Sequence, residues 1–193
     1  MKAFATALPG VLLFEPVRHR DGRGLLVETF KESAYREVGL DAVFVQDNLS
    51  LSRRNVLRGL HYQKRQGKLI TVVTGAIQDI AVDIRPDSET FGRWVEATLS
   101  GEDHRQIYIP PGFAHGFSVL SDEAYVWYKA TDVYRPEEEG GIRWDDPDLA
   151  IDWKVQDPIV SDRDRRHPLL KDVDRSALIT RRELELRRAT SPP

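Results

Sequence analysis

The chain has 193 residues and no cysteine, and its 28 Lys and Arg against 31 Asp and Glu leave a formal charge of −3. This length suits one domain with a sizeable core, and the balanced charge offers no basic field for nucleic acid or an anionic membrane. Without cysteine there are no disulfide scaffolds, thiolate metal sites, Fe–S clusters or cysteine nucleophiles. Hydrophobic residues make up 40% and aromatics 9%, the content of a folded globule. No eighteen apolar residues run together, and Pro9 and Gly10 break the first apolar stretch, so the reading is a soluble, cytoplasmic protein.

From residue 11 to 131, short β-branched and aromatic runs alternate with Gly, Pro, Asp or Ser every eight to twelve residues, the pattern of an all-β sandwich or barrel. Strands are predicted at 11–14, 24–30, 43–51, 56–63, 69–74, 77–84, 94–99, 106–109, 117–120 and 124–130. The spacing predicts a short helix over 31–38, closed by Gly39. In residues 77–84, Ile80, Val82 and Ile84 share one face and Asp79, Ala81 and Asp83 the other, so a polar face is expected to point into a wet cavity. Beyond 131, ordered loops pinned by Trp144 and Trp153 are expected. Residues 1–174 read as the domain and 175–193 as an Arg-rich extension, either a helix over 174–188 with Asp174 as N-cap or a solvated tail.

Of five histidines, His61 and His115 sit in or beside apolar β-patterned sequence. Around His61, Arg58 and Gln63 share a segment with Val56, Leu57 and Leu60, and polar groups on a buried strand need partners or a ligand. Gly59 is expected to introduce a bulge that aims Arg58 and His61 at one cavity. Residues 109–117, IPPGFAHGF, make a rigid turn that delivers His115 at the start of a strand. Arg23, Arg58 and Lys68 adjoin strands or turns and suit a diphosphate, surface ion pairing being the alternative. Tyr128 shares a strand face with Ala124, Val126 and Ala130, which leaves room for a ligand against its phenol.

Pro-x-Gly-x-x-His resembles the second motif of the cupins, double-stranded β-helix proteins of the jelly-roll type. The His-x-His pair of metal-dependent cupins is absent, since the matching residues read His61-Tyr62-Gln63, and no metal is expected. His61, His115 and a carboxylate are the alternative, as a weak facial triad. More specifically, DGRGLLVETF, FVQDNLSLS, NVLRGLHYQ, QGKLITVVTGAIQDIAVDIR, FGRWVEATLS, IPPGFAHGFSVLSD, YKATDVYRPEEEGGIRWDDP and DPIVSDRD, in order from about 11 to 170, resemble the dTDP-4-dehydrorhamnose 3,5-epimerases of the cupin superfamily.

The resemblance implies an all-β cupin jelly roll with short connecting helices. It also implies a homodimer, exchanging an N-terminal strand, that works without cofactor or metal on a dTDP-linked 4-keto-6-deoxyhexose. Proton removal beside a ketone needs a base, a cation at the enolate oxygen and an acid on the opposite face. His61 matches the family's base, Lys68 the cation and Tyr128 the acid. The carboxylate behind the base is Asp164 by motif, with Asp162 as rival, because Val160 and Arg163 stand where the family has Leu and Lys. Arg23, Glu28, Gln46, Asp47, Asn48, Arg58, His115, Tyr134, Glu139 and Arg163 match the substrate pocket. The same resemblance leaves open a C3- or C5-only epimerase or a ketoisomerase, and a binding module without turnover is the reading from a different class.

Overall fold

The computed structural model describes residues 1–190. Its strands are β1 (Lys2–Ala5), β2 (Leu12–Glu15), β3 (Arg18–Asp21), β4 (Gly24–Val27), β5 (Gln46–Arg53), β6 (Leu57–Gln63) and β7 (Lys68–Thr74). They continue with β8 (Ala76–Asp83), β9 (Trp94–Ser100), β10 (Gln106–Ile109), β11 (Phe113–Val119), β12 (Glu123–Ala130) and β13 (Glu139–Gly141). The helices are α1 (Glu32–Glu37), α2 (Asp162–Arg165) and α3 (Arg181–Thr190).

Antiparallel pairing assembles a six-stranded sheet in the order β1-β2-β10-β7-β12-β5 and a five-stranded sheet in the order β13-β6-β11-β8-β9. The two face each other as the jelly roll that the strand series predicted, and β3 and β4 form a separate hairpin. Ile70, Val72, Ile77, Ala81, Leu99, Ile107, Phe117, Val119 and Val126 fill the space between the sheets. Each large apolar side chain so buried contributes roughly 1.5–3 kcal/mol.

A second cluster lies outside the five-stranded sheet, where Leu60, Ile80, Val82 and Ile84 meet Ile142, Leu149, Leu170, Val173 and Leu178. The loops after 131 therefore cover this outer face, and Trp153 Nε1 donates to Trp144 O at 2.9 Å within them. With β8 enclosed on both sides, its apolar side faces the loops while Asp79, Ala81 and Asp83 turn inward. Only Asp79 of the two acids approaches the pocket, because Asp83 is consumed by Arg85, Ser88 and Thr90.

Several boundaries differ from expectation for identifiable reasons. The strand expected over 43–51 begins at Gln46, and the one over 24–30 stops at Val27 to pair with β3, whose RHRD side chains are all exposed and carry no hydrophobic pattern. His115 is the third residue of β11, because pairing with β8 carries the strand back to Phe113. Asp174 does cap, but its carboxylate accepts from Ser176 N and closes a single 3-10 turn. The chain then extends so that Leu178 and Ile179 can be buried, and α3 starts only after Thr180. Thr180 and Glu183 form a capping box there, while Asp87 accepts from the backbone N–H of Arg181 and Arg182.

Candidate active site

The site rests on one irregularity in β6. Against β11, His61 pairs with His115 but Arg58 pairs with Phe117, so three steps on β6 oppose two on β11. The extra residue lets Arg58 and His61, of opposite parity, project from the same side of the sheet as His115 and Asp79, with Arg58 exposed at the edge of the site. Glycine is required at the bulge: φ of Gly59 is +135°, and a Cβ there would stand 2.5 Å from Gly116 Cα.

His61 Nε2 lies 2.7 Å from Asp164 Oδ1, and the other carboxylate oxygen of Asp164 accepts from Gly59 N at 3.3 Å. Ser161 caps the short helix α2 by accepting from Asp164 N, which holds the carboxylate against the bulge. Asp164 is buried whereas Asp162 is exposed, so Asp164 is the aspartate that meets His61. Burial alone would raise the Asp164 carboxyl, but hydrogen bonds from His61, Gly59 and Ser161 outweigh it and keep it below the usual carboxylate range.

His115 holds a second carboxylate. Its Nε2 is 2.8 Å from Asp79 Oδ2, and Asp79 is fully buried. Because each histidine has its own aspartate, His61 and His115 do not share one carboxylate as the facial-triad alternative requires.

The opposite wall comes from the six-stranded sheet. Registers place Lys68, Ala130 and Gln46 on one inward row and Ile70, Tyr128 and Asn48 on the next. Lys68 Nζ lies 5.7 Å from the centre of the Tyr128 ring, within cation–π range. Burial lowers the Lys68 ammonium below an ordinary lysine despite Glu139 and Asp79 nearby. Burial raises the Tyr128 phenol, with Arg58 opposing and Glu139 adding to the rise. His61, Lys68 and His115 line one pocket with Tyr62, Gln63, Gln66, Ile109 and Phe113.

At the rim, Glu139 accepts from the Tyr134 hydroxyl at 2.8 Å and pairs with Arg163, and Gln46 Oε1 accepts from Tyr134 N at 2.9 Å. Burial pushes the Glu139 carboxyl upward, but the Arg163 and Tyr134 hydrogen bonds outweigh it and hold it low. Arg58 is anchored by Ser52 Oγ at 2.9 Å.

Three matched residues lie elsewhere. Asp47 alternates with Gln46 and Asn48, so it emerges on the other side of the sheet, 2.8 Å from Lys129 Nζ. Arg23 sits at the exposed β3–β4 turn and pairs with Asp21. Glu28 follows that hairpin and lines a separate hollow with Met1, His19 and Tyr35. Conversely, Asp79 and His167 were not among the sequence candidates: the first carried only the signal of a polar strand face, and the second lay in the loop-rich segment.

Two facing sheets that enclose paired histidines, a half-buried lysine and a tyrosine define an enzyme-like site of the jelly-roll class. Residues 5–172 match the family model for dTDP-4-dehydrorhamnose 3,5-epimerase. The dTDP-4-dehydrorhamnose 3,5-epimerase of Methanothermobacter thermautotrophicus is 51% identical over 172 residues, spanning 86% of this chain and 93% of its own length. A Legionella pneumophila epimerase solved with dTDP-4-keto-L-rhamnose superposes with a TM-score of 0.89 at 46% identity, covering 93% of this chain and 97% of that one. A 3'-monoepimerase from Streptomyces bikiniensis, solved with dTDP-quinovose, reaches a TM-score of 0.90 at 33% identity and covers 98% of each chain. The chain belongs to the dTDP-4-dehydrorhamnose 3,5-epimerase family.

Proposed function

We propose that this protein inverts C3 and C5 of dTDP-4-dehydro-6-deoxy-D-glucose to give dTDP-4-dehydro-L-rhamnose, using its own side chains as acid and base. The observation that carries this reading is the division of the pocket: His61 projects from the five-stranded sheet, and Lys68 and Tyr128 project from the six-stranded sheet. A sugar ring held between them has a base on one face and a proton donor on the other.

In this reading Asp164 accepts the Nε2–H of neutral His61, which leaves Nδ1 unprotonated as the base. Nδ1 takes the proton from the carbon beside the ketone, and the C–H electron pair moves into the enolate with its charge on O4. The Lys68 ammonium stabilises that charge. Tyr128 then delivers a proton to the opposite face of the carbon, which completes the inversion. Arg58 and Arg163 supply positive charge for the diphosphate. The relatives favour double inversion, since the 3,5-epimerase quoted is 51% identical and the 3'-monoepimerase 33%.

We further infer a cytoplasmic homodimer. Among the described residues no helix is long and apolar enough to cross a membrane. Arg23 and Glu28 lie on or beside a hairpin that stands outside both main sheets, with Leu26 70% exposed, which supports the reading that they serve a neighbouring subunit's pocket.

The deciding experiment is NMR of dTDP-4-dehydro-6-deoxy-D-glucose turned over in D2O. Deuterium at both C3 and C5, with NADPH oxidation when the next reductase is added, supports double inversion. Label at one carbon makes the protein a mono-epimerase, and no label makes it a binding module.

The Lys68 role has a pH signature. Protonated Lys68 stabilises the enolate, so kcat/KM falls as pH rises through its pKa, and burial places that alkaline limb below the ordinary lysine value of about 10.4. Tyr128 moves the other way and deprotonates later. Lys68→Arg, which keeps its charge, is expected to lose the limb. A limb unchanged in that variant assigns it to another group.

A further inference from the structure

Beside His61 stands a histidine that the reaction does not use and that is not among the residues lining the pocket. His167 follows Asp164 by one turn, and its ring meets that of His61 edge-on with centres 5.8 Å apart. Its Nε2 is sealed from solvent, lies 3.7 Å from Asp164 Oδ1 and has no hydrogen-bond partner. The position is built: Gly141 of β13 leaves room for the ring, since a Cβ there would overlap His167, and Arg143 N holds Pro168 O at 2.8 Å. Burial and the neighbouring His61 lower the His167 imidazole, which leaves it neutral and able to act as a ligand at pH 7.

Two imidazoles and one carboxylate are a donor set for divalent transition metals. The nearest ligand atoms of His61, Asp164 and His167 all lie within 4.8 Å of one another, the one such group among the described residues. Bonds of about 2.1 Å to a tetrahedral ion put ligand atoms roughly 3.4 Å apart. The 2.7 Å and 3.7 Å separations from Asp164 bracket that spacing.

We propose that His61 Nε2, Asp164 Oδ1 and His167 Nε2 form an inhibitory site for Zn2+ and similar divalent transition-metal ions. Coordination replaces the His61–Asp164 hydrogen bond. The proton on Nε2 moves to Nδ1, so the imidazole stays neutral, no proton is gained or lost overall, and the nitrogen that faces the pocket can no longer accept one. The ion sits on the Asp164 side of the ring, with Asp164 and His167, which do not line the pocket, so inhibition lowers kcat and leaves KM unchanged. The binding claim stands on geometry alone, while the inhibition claim rests on the reading of His61 as the base.

The test separates the two. Titration of the full chain with Co2+ is expected to give visible ligand-field absorption saturating at one ion per chain. His167→Gln and His167→Phe, the second keeping the ring volume, are expected to weaken binding at least about tenfold. His167 does not line the pocket, so both variants keep basal turnover. Absence of saturable binding in the unmodified protein, or binding within twofold of it in a folded variant, overturns the site. In turnover assays Zn2+ is expected to reduce kcat reversibly with EDTA in the unmodified protein and not in the variants. A rise in KM at constant kcat places the ion in the substrate pocket and overturns the tautomer account. If the protein shows no epimerase activity at all, the Co2+ titration still decides the site while the function proposed above fails.

Discussion

His61→Ala is expected to abolish deuterium exchange at both C3 and C5 and to lower kcat by about a thousandfold, with KM changed only a few-fold. A positioned general base contributes roughly 10²–10⁴-fold, realised in the transition state and not in ground-state binding. One base is expected to serve both carbons because His61 is the more accessible of the two aspartate-paired histidines, its side chain 30% exposed against 10% for His115. Loss of exchange at one carbon alone would therefore show that His115 or another group serves the second. Asp164→Asn separates base from tautomer. Its amide can present N–H to His61 Nε2, which moves the imidazole proton to Nδ1 and disarms the base while the ring stays in place. A loss of 10²–10⁴-fold with unchanged substrate affinity is expected, and an active Asn variant would show that the carboxylate does not set the tautomer.

The inner architecture was legible because burial writes a period into sequence. The strands at 56–63, 69–74, 77–84 and 124–130 were anticipated because each carries β-branched and aromatic residues under tertiary cover. β3 and β13 were illegible for the converse reason: RHRD and EGG join sheets through backbone pairing and carry almost no apolar side chains. The helix start at Arg181 was hidden by a competition between caps. Asp174 is the first capping residue met in the chain, but burial of Leu178 and Ile179 forces extended backbone before Thr180 and Glu183 can form theirs.

The site divides along the same line. His61, His115, Lys68 and Tyr128 announced themselves as polar residues in buried β sequence, and Gly59 explained how Arg58 and His61 reach one side of the sheet. Partners distant in the chain left no such trace. Asp164 is 103 residues from His61, and only the family resemblance picked it out, whereas His167 had no motif to mark it. Asp47 shows the opposite case. Motif matching takes a segment whole, yet strand alternation sends Asp47 outward between two inward neighbours, and that parity was readable from the sequence.

Tyr128→Phe is expected to separate exchange from inversion. His61 can still remove a proton and return solvent deuterium to the same face, so label should enter the sugar while its configuration stays as it was. The phenol is suited to this role by its surroundings. Burial raises its pKa, so at neutral pH it carries a proton to give, and the Lys68 ammonium 5.7 Å from the ring centre lies beside it to meet the enolate charge. The variant loses one hydroxyl from a half-buried ring whose inward neighbours across the strands are Ile70 and Asn48. The fold should therefore survive, and product formation should drop by about 10²–10⁴-fold, the contribution of a general acid. The measurement is the ratio of deuterium uptake to inverted product in D2O. A high ratio assigns delivery of the second proton to Tyr128. A ratio near that of the unmodified enzyme, with both rates intact, moves the acid to another group on the six-stranded wall. Loss of both together would mean instead that the hydroxyl helps to position the sugar for His61 before any proton moves.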